Sequence, residues 1–252
     1  MQRTIDLNCD LGEGAGCDAE LMPLVASANI ACGAHAGDAA TMRATLALAL
    51  RHGVAVGAHP GFADREHFGR RELAISPAHA AELVFTQVQT LQEIAVSMQA
   101  EVRHVKLHGA LYNLVSRDEA LAQAVVEAVW CTEWKPILFA LAGSALERVA
   151  RRKPGLRVAA EVFADRTYQR DGSLTPRSRP DALIHDEAQA VAQVLRMIRD
   201  GVVRATDGTD VPIRADTVCV HGDGPHAVAF ARRLRGELRA AGIELMAPSG
   251  SA

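Results

Sequence analysis

The chain lacks the cysteine pattern of a stapled or zinc-knotted protein. Its five cysteines are odd in number and no C-x-x-C occurs, which argues against a disulfide framework and a structural zinc knot. Cys9, Cys32, Cys131 and Cys219 stand among apolar neighbours and read as buried free thiols. No apolar run approaches the length of a membrane span. The first eight residues, MQRTIDLN, carry no hydrophobic signal region. The expectation is a soluble, cytoplasmic protein with no membrane partner. Basic charge is not in excess either: 27 Lys and Arg against 30 Asp and Glu leave a net charge of -3. The short basic runs at 151–153 and at Arg177 and Arg179 read as solvated surface, so a nucleic-acid partner is not expected. Also missing are a G-x-G-x-x-G after the first strand, any G-x-x-x-x-G-K-[ST], any G-x-S-x-G and any H-E-x-x-H. A nucleotide has neither common phosphate loop to bind through, covalent serine catalysis has no elbow, and a metal has no spacing signature.

What is present is an ordinary globular balance, 49 % hydrophobic and 23 % charged over 252 residues. That is enough for one large α/β domain. Residues 4–14, TIDLNCDLGEG, alternate Ile5, Leu7, Cys9 and Leu11 with Asp6, Asn8 and Asp10, and Glu13 follows. This is strand periodicity with an unusually acidic face. Further short apolar runs end near residues 35, 59, 108, 141, 163 and 220. Amphipathic helical patterns separate them, notably at 38–53, 76–98, 118–129, 187–200 and 225–241. Alternation of this kind predicts βαβ units and a parallel sheet. A closed barrel over residues 1–252 is favoured over an open sheet, because polar residues recur at the C-terminal end of nearly every strand.

Those strand ends collect Asp10 and Glu13, His35 and Asp38, His59, Lys106 and His108, then Glu161, Asp165 and Arg166, then His221 and Asp223. Four of the ten histidines thus hold the same topological position beside glycine or proline. Such a rim suits general acid–base chemistry or a divalent metal that activates water. Lys106 and Arg166 suit a substrate carboxylate or a developing oxyanion. Deeper in the first strand, Asp6 and Asn8 suit a supporting polar network. The arginine-rich segment 65–71, with Arg70, reads equally as surface or as a flap over an anionic substrate.

Six ordered segments sharpen this reading: DLNCDLGEG, NIACGAHAGD, GAHPGFADREHFGRR, KLHGALYN, EVFADRTY and CVHGDGPHAV. Together they resemble the LamB/YcsF family, the A subunits of prokaryotic ATP-dependent 5-oxoprolinase. The resemblance runs from about residue 5 to 247. It implies a seven-stranded variant of the (β/α) barrel related to sugar deacetylases. It implies hydrolysis of 5-oxo-L-proline to L-glutamate coupled to ATP hydrolysis, with Mg accompanying ATP and with partner subunits B and C. A divalent metal at the rim and a homo-oligomer stay open. Carried over by motif position, Asp10, Glu13, His35, His59, His108, Glu161, Asp165, His221 and Asp223 are expected to be catalytic. Asn8, Asp38, Arg70, Lys106 and Arg166 are expected to bind substrate. The chain departs from the family pattern at Leu107, where proline is usual, at Gly14–Cys17, and at Glu66-His67. Two other readings stand beside this one: a metal-dependent deacetylase or amidohydrolase on the same barrel, and a non-catalytic component that presents substrate.

Overall fold

The computed structural model describes residues 3–221 and 226–248. Seven parallel strands close into a barrel. β1 (Arg3–Leu11) pairs with β2 (Ser27–Ala31), and the series continues through β3 (Ala55–His59), β4 (His104–Lys106), β5 (Ile137–Leu141) and β6 (Val158–Phe163). β7 (Val202–Arg204) and β8 (Asp210–Pro212) form an antiparallel hairpin apart from the barrel. β9 (Thr217–Val220) closes the ring by pairing with β6 on one side and β1 on the other. β10 (Ile243–Leu245) lies parallel to the first residues of β1, outside the ring.

The helices are α1 (Asp18–Leu21), α2 (Ala39–His52), α3 (Pro77–Ser97), α4 (Gly109–Arg117), α5 (Glu119–Trp130), α6 (Ala145–Arg152), α7 (Glu187–Asp200) and α8 (Ala227–Ala240). Their starts follow side-chain capping. Asp38, Ser76, Asp118, Ser144 and Asp186 each accept a hydrogen bond from a backbone N–H in the first turn of α2, α3, α5, α6 and α7. Helix α4 has no counterpart in the periodicity reading, because Gly109 at its start resembles turn punctuation. Ala110, Leu111, Tyr112 and Val115 are nonetheless buried along it. No described helix is long and apolar enough to cross a membrane.

Strand alternation sorts the core into two regions. Ile5, Leu7, Cys9 and Leu11 of β1 pack outward into the main hydrophobic cluster beneath the helices. Their neighbours Asp6 and Asn8 are also buried, but point into the barrel, where Asn8 meets Glu161 and Thr217 across the lumen. The floor of the lumen is apolar, with Ile137, Phe139 and Ala159 forming a small separate cluster. Above it the interior is polar up to the C-terminal mouth. His104 stacks on Phe139 at 4.2 Å and meets Asn29 Oδ1 at 2.8 Å. This ring fits only because position 57 is glycine: a Cβ there would lie 2.0 Å from His104 Nε2.

Two cysteines depart from the apolar setting expected of them. Cys131 follows the last turn of α5 and is exposed. Cys219 is buried, but the alternation of β9 turns it inward, where its Sγ lies 2.9 Å from Lys106 Nζ.

Candidate active site

The barrel mouth opens into a cleft of about 740 Å³ whose floor includes Asp10, Glu13, His59, Lys106 and His108. Asp10 ends the inner face of β1. Its Oδ1 accepts from Lys106 Nζ and from Asn29 Nδ2, both at 2.8 Å, and its Oδ2 lies 3.3 Å from His59 Nε2. Burial pushes the Asp10 carboxyl upward, but His59 and Lys106 outweigh it and hold the group well below the usual carboxylate range.

Lys106, on β4, is the electrostatic centre of the lumen. Besides Asp10 and Cys219, its ammonium reaches Glu161 at 3.2 Å and Asn8 Oδ1 at 3.3 Å. Burial disfavours its charge, yet the surrounding Asp10 and Glu161 carboxylates raise it well above an ordinary lysine. Glu161 is completely buried and accepts from Tyr112 Oη at 2.7 Å and from Asn8 Nδ2 at 3.1 Å. Deeper still, Asp6 accepts from Ser27 and Thr217, and burial pushes its carboxyl up to about 7.

Beside Asp10 lies a cluster of three imidazoles around Glu13. Glu13 Oε1 is 3.1 Å from His35 Nε2, 3.1 Å from His108 Nδ1 and 3.7 Å from His59 Nε2. His35 and His108 stack with centroids 3.8 Å apart. The outer nitrogens of two rings are fixed by backbone: His59 Nδ1 donates to Lys106 O and His108 Nε2 donates to Phe68 O, each at 2.8 Å. The loop after β3 folds down over the stack. A Cβ on Gly69 would lie 2.9 Å from His35 Cβ.

On the other side of the mouth, His221 Nδ1 meets Asp165 at 2.9 Å and its Nε2 accepts from Arg177 at 3.1 Å. That pairing assigns the proton to Nδ1. Asp10, Cys219 and His221 each offer a donor atom within 4.8 Å of the others, so the two halves of the rim form one site. Arg166 is buried, and it donates to the carbonyls of Thr175 and Ala182. Arg70, Arg148 and Arg177 line the cleft from exposed positions.

The structure therefore brings together Asn8, Asp10, Glu13, His35, His59, Lys106, His108 and Glu161, with Asp165, Arg166 and His221 adjoining and Arg70 at the entrance. It sets Asp38 apart: that side chain is exposed and spent on capping α2 through Thr41. Asp223 lies outside the described residues. Sequence reading passed over Asn29, His104, Tyr112, Thr217 and Cys219. Asn29 carried a period-two signal with Ser27, the two polar residues of the otherwise apolar run 27–32. Tyr112 carried none, since it sits on the unassigned α4.

Comparison with known proteins places the whole chain beside one family. The model of the LamB/YcsF family matches residues 5–251. A Bordetella pertussis protein named as the A component of 5-oxoprolinase is 54 % identical over 252 residues, covering 98 % of this chain and 100 % of the relative. One of the same name from Brevibacillus brevis is 51 % identical over 250 residues, covering 97 % and 98 %. The crystal structure of a lactam utilization protein from Thermus thermophilus superposes with a TM-score of 0.90 at 43 % identity, covering 97 % of this chain and all of that one. A deacetylase, T48, shares the fold alone, with a TM-score of 0.53 at 12 % identity over 97 % of this chain and 88 % of the other.

Proposed function

This chain belongs to the LamB/YcsF family, and from that premise we propose that it is the A component of an ATP-dependent 5-oxoprolinase. In this reading it opens the lactam ring of 5-oxo-L-proline to L-glutamate, within a complex with subunits B and C that hydrolyses Mg-ATP. The observation that carries the reading is the junction of a carboxylate–imidazole floor with a cationic entrance in one cleft.

Opening a lactam needs water placed on the ring carbonyl, a charge partner for the oxyanion, and a proton for the departing nitrogen. Asp10, at the floor and next to His59, is placed to orient that water. Lys106 is not assigned to the substrate carboxylate, since Asp10, Glu161 and Cys219 already surround its ammonium. Arg166 is buried and already donates to two carbonyls, which makes it a weaker candidate than the exposed arginines. The carboxylate of 5-oxoproline is assigned instead to Arg148 and Arg177 at the entrance, whose guanidiniums, among the described residues, each spend a donor on Gly143 O or His221 and have others to offer. Lys106 then acts by holding Asp10 ionised and in place. The free energy for opening a stabilised amide comes from ATP, whose cleavage is a property of the assembled complex.

The test is reconstitution. Glutamate and ADP should appear together only when this chain, both partner proteins, 5-oxoproline and ATP are present. Glutamate formed by this chain alone, without ATP, would replace the reading with that of a simple amidohydrolase.

A further inference from the structure

We propose that Glu13, His35, His59 and His108 form a binding site for one divalent transition-metal ion of the zinc class. The argument starts from hydrogen bonding. His59 has given its Nδ1 proton to Lys106 O, and His108 its Nε2 proton to Phe68 O. With both rings neutral, the remaining nitrogens, His59 Nε2 and His108 Nδ1, face each other as acceptors only 2.9 Å apart, and Asp10 Oδ2, itself an acceptor, stands 3.3 Å from the former. Glu13 Oε1, a further acceptor, stands 3.1 Å from that same His108 Nδ1. One shared proton satisfies only one of these two contacts at His108. A cation between the three satisfies both, and also meets His35 Nε2, which lies 3.1 Å from Glu13 Oε1.

The spacing suits coordination. All four donor atoms lie within 4.8 Å of one another. A tetrahedral ion with bonds of about 2.0–2.1 Å has ligand–ligand edges near ~3.3 Å. Four of the edges here are 2.9, 3.1, 3.1 and 3.7 Å. Three imidazoles and one carboxylate select zinc-class ions over magnesium or calcium, which prefer all-oxygen sites. Two of the ligating rings are oriented by backbone carbonyls through their outer nitrogens, as metal-bound histidines commonly are. The donors come from the ends of β1, β2, β3 and β4, a rigid frame. The sequence conceals the set because no two of its members share a short spacing motif.

The site stands on this chain's own atoms and does not depend on the identity of the lactam. The experiment uses the full chain, expressed without a histidine tag and stripped with chelator. Zn²⁺ is titrated by calorimetry, and Co²⁺ by visible absorption. One equivalent should bind, Co²⁺ should give the intense d–d bands of a four-coordinate site, and the melting temperature should rise. Glu13→Gln and His108→Gln should each weaken binding at least tenfold with the circular dichroism spectrum retained, while Arg148→Gln should not. Failure of the wild-type chain to bind a stoichiometric ion overturns the proposal, whatever the variants do. So does binding that Glu13→Gln and His108→Gln leave unchanged. Loss of 5-oxoproline turnover in a metal-replete complex would count against the proposed function and leave the metal site standing.

Discussion

Lys106 Nζ lies 2.8 Å from Asp10 Oδ1 in the lumen of the barrel, with both side chains nine-tenths or more out of solvent. The contact joins strands separated by 96 residues in sequence. It converts the acidic face of β1 from a liability into an anchored site, because buried carboxylates without a cation are very costly. Asp10, Glu161 and Asn8 all converge on that one ammonium.

Removing the ammonium should therefore cost more than one ion pair. Lys106→Met leaves Asp10 and Glu161 buried without a cation, and the expected loss of stability is about 3–5 kcal/mol. Adding Asp10→Asn should recover part of it, a coupling that urea unfolding of the two single variants and the double variant would measure. Additive losses would mean that the pair does not couple.

Asp6 makes stability depend on pH in the direction opposite to a salt-bridged carboxylate. Burial raises its folded value from 3.8 to about 7. The folded state thus holds a proton that the unfolded chain releases at lower pH. Its contribution is complete below about pH 4, declines as pH rises, and is gone above about pH 7. The shift corresponds to a change on the order of 4 kcal/mol at about 1.4 kcal/mol per unit. Asp6→Asn should abolish that decline, so the variant gains stability relative to the wild type from pH 4 to pH 8. Parallel unfolding curves for the two proteins across that range would refute the assignment.

Gly57→Ala should be poorly tolerated. The new Cβ would fall 2.0 Å from His104 Nε2, and that ring is pinned between Phe139 and Asn29. Overpacking of this kind costs about 1–3 kcal/mol or more. A lowered melting temperature is the expected readout, and an unchanged one would show that the ring moves freely.

Arg148→Ala and Arg177→Ala should raise KM for 5-oxoproline about tenfold in the assembled complex with little change in kcat, as for groups that bind ground and transition states alike. A fall in kcat at unchanged KM would place these arginines in the chemistry instead.

Much of this architecture was legible in the sequence. The two-residue period of β1 put Asp6, Asn8 and Asp10 on one face, and repeated Gly-x-His endings put His35 and His59 at one end of the barrel. What a linear pattern does not carry is where donors are spent. Asp38 has the residue type and position of a site carboxylate, but it caps α2 because Thr41 offers its N–H 2.7 Å away. Arg166 has the charge for a substrate carboxylate, yet nearby carbonyls hold it. Cys219 reads as apolar filling, and only barrel closure between β9 and β1 brings it to Lys106. Helix α4, with Tyr112 over Glu161, was hidden by the glycine that opens it.

The most direct test of the central claim is the rate of glutamate formation by this chain reconstituted with the two partner proteins of the proposed complex and supplied with 5-oxoproline and Mg-ATP, comparing the wild type with Asp10→Asn. The account predicts a fall of about 10²-fold or more, the usual scale for losing a positioned proton-handling group, with the variant folded and still assembled. Turnover by the Asp10→Asn complex at the wild-type rate would contradict it.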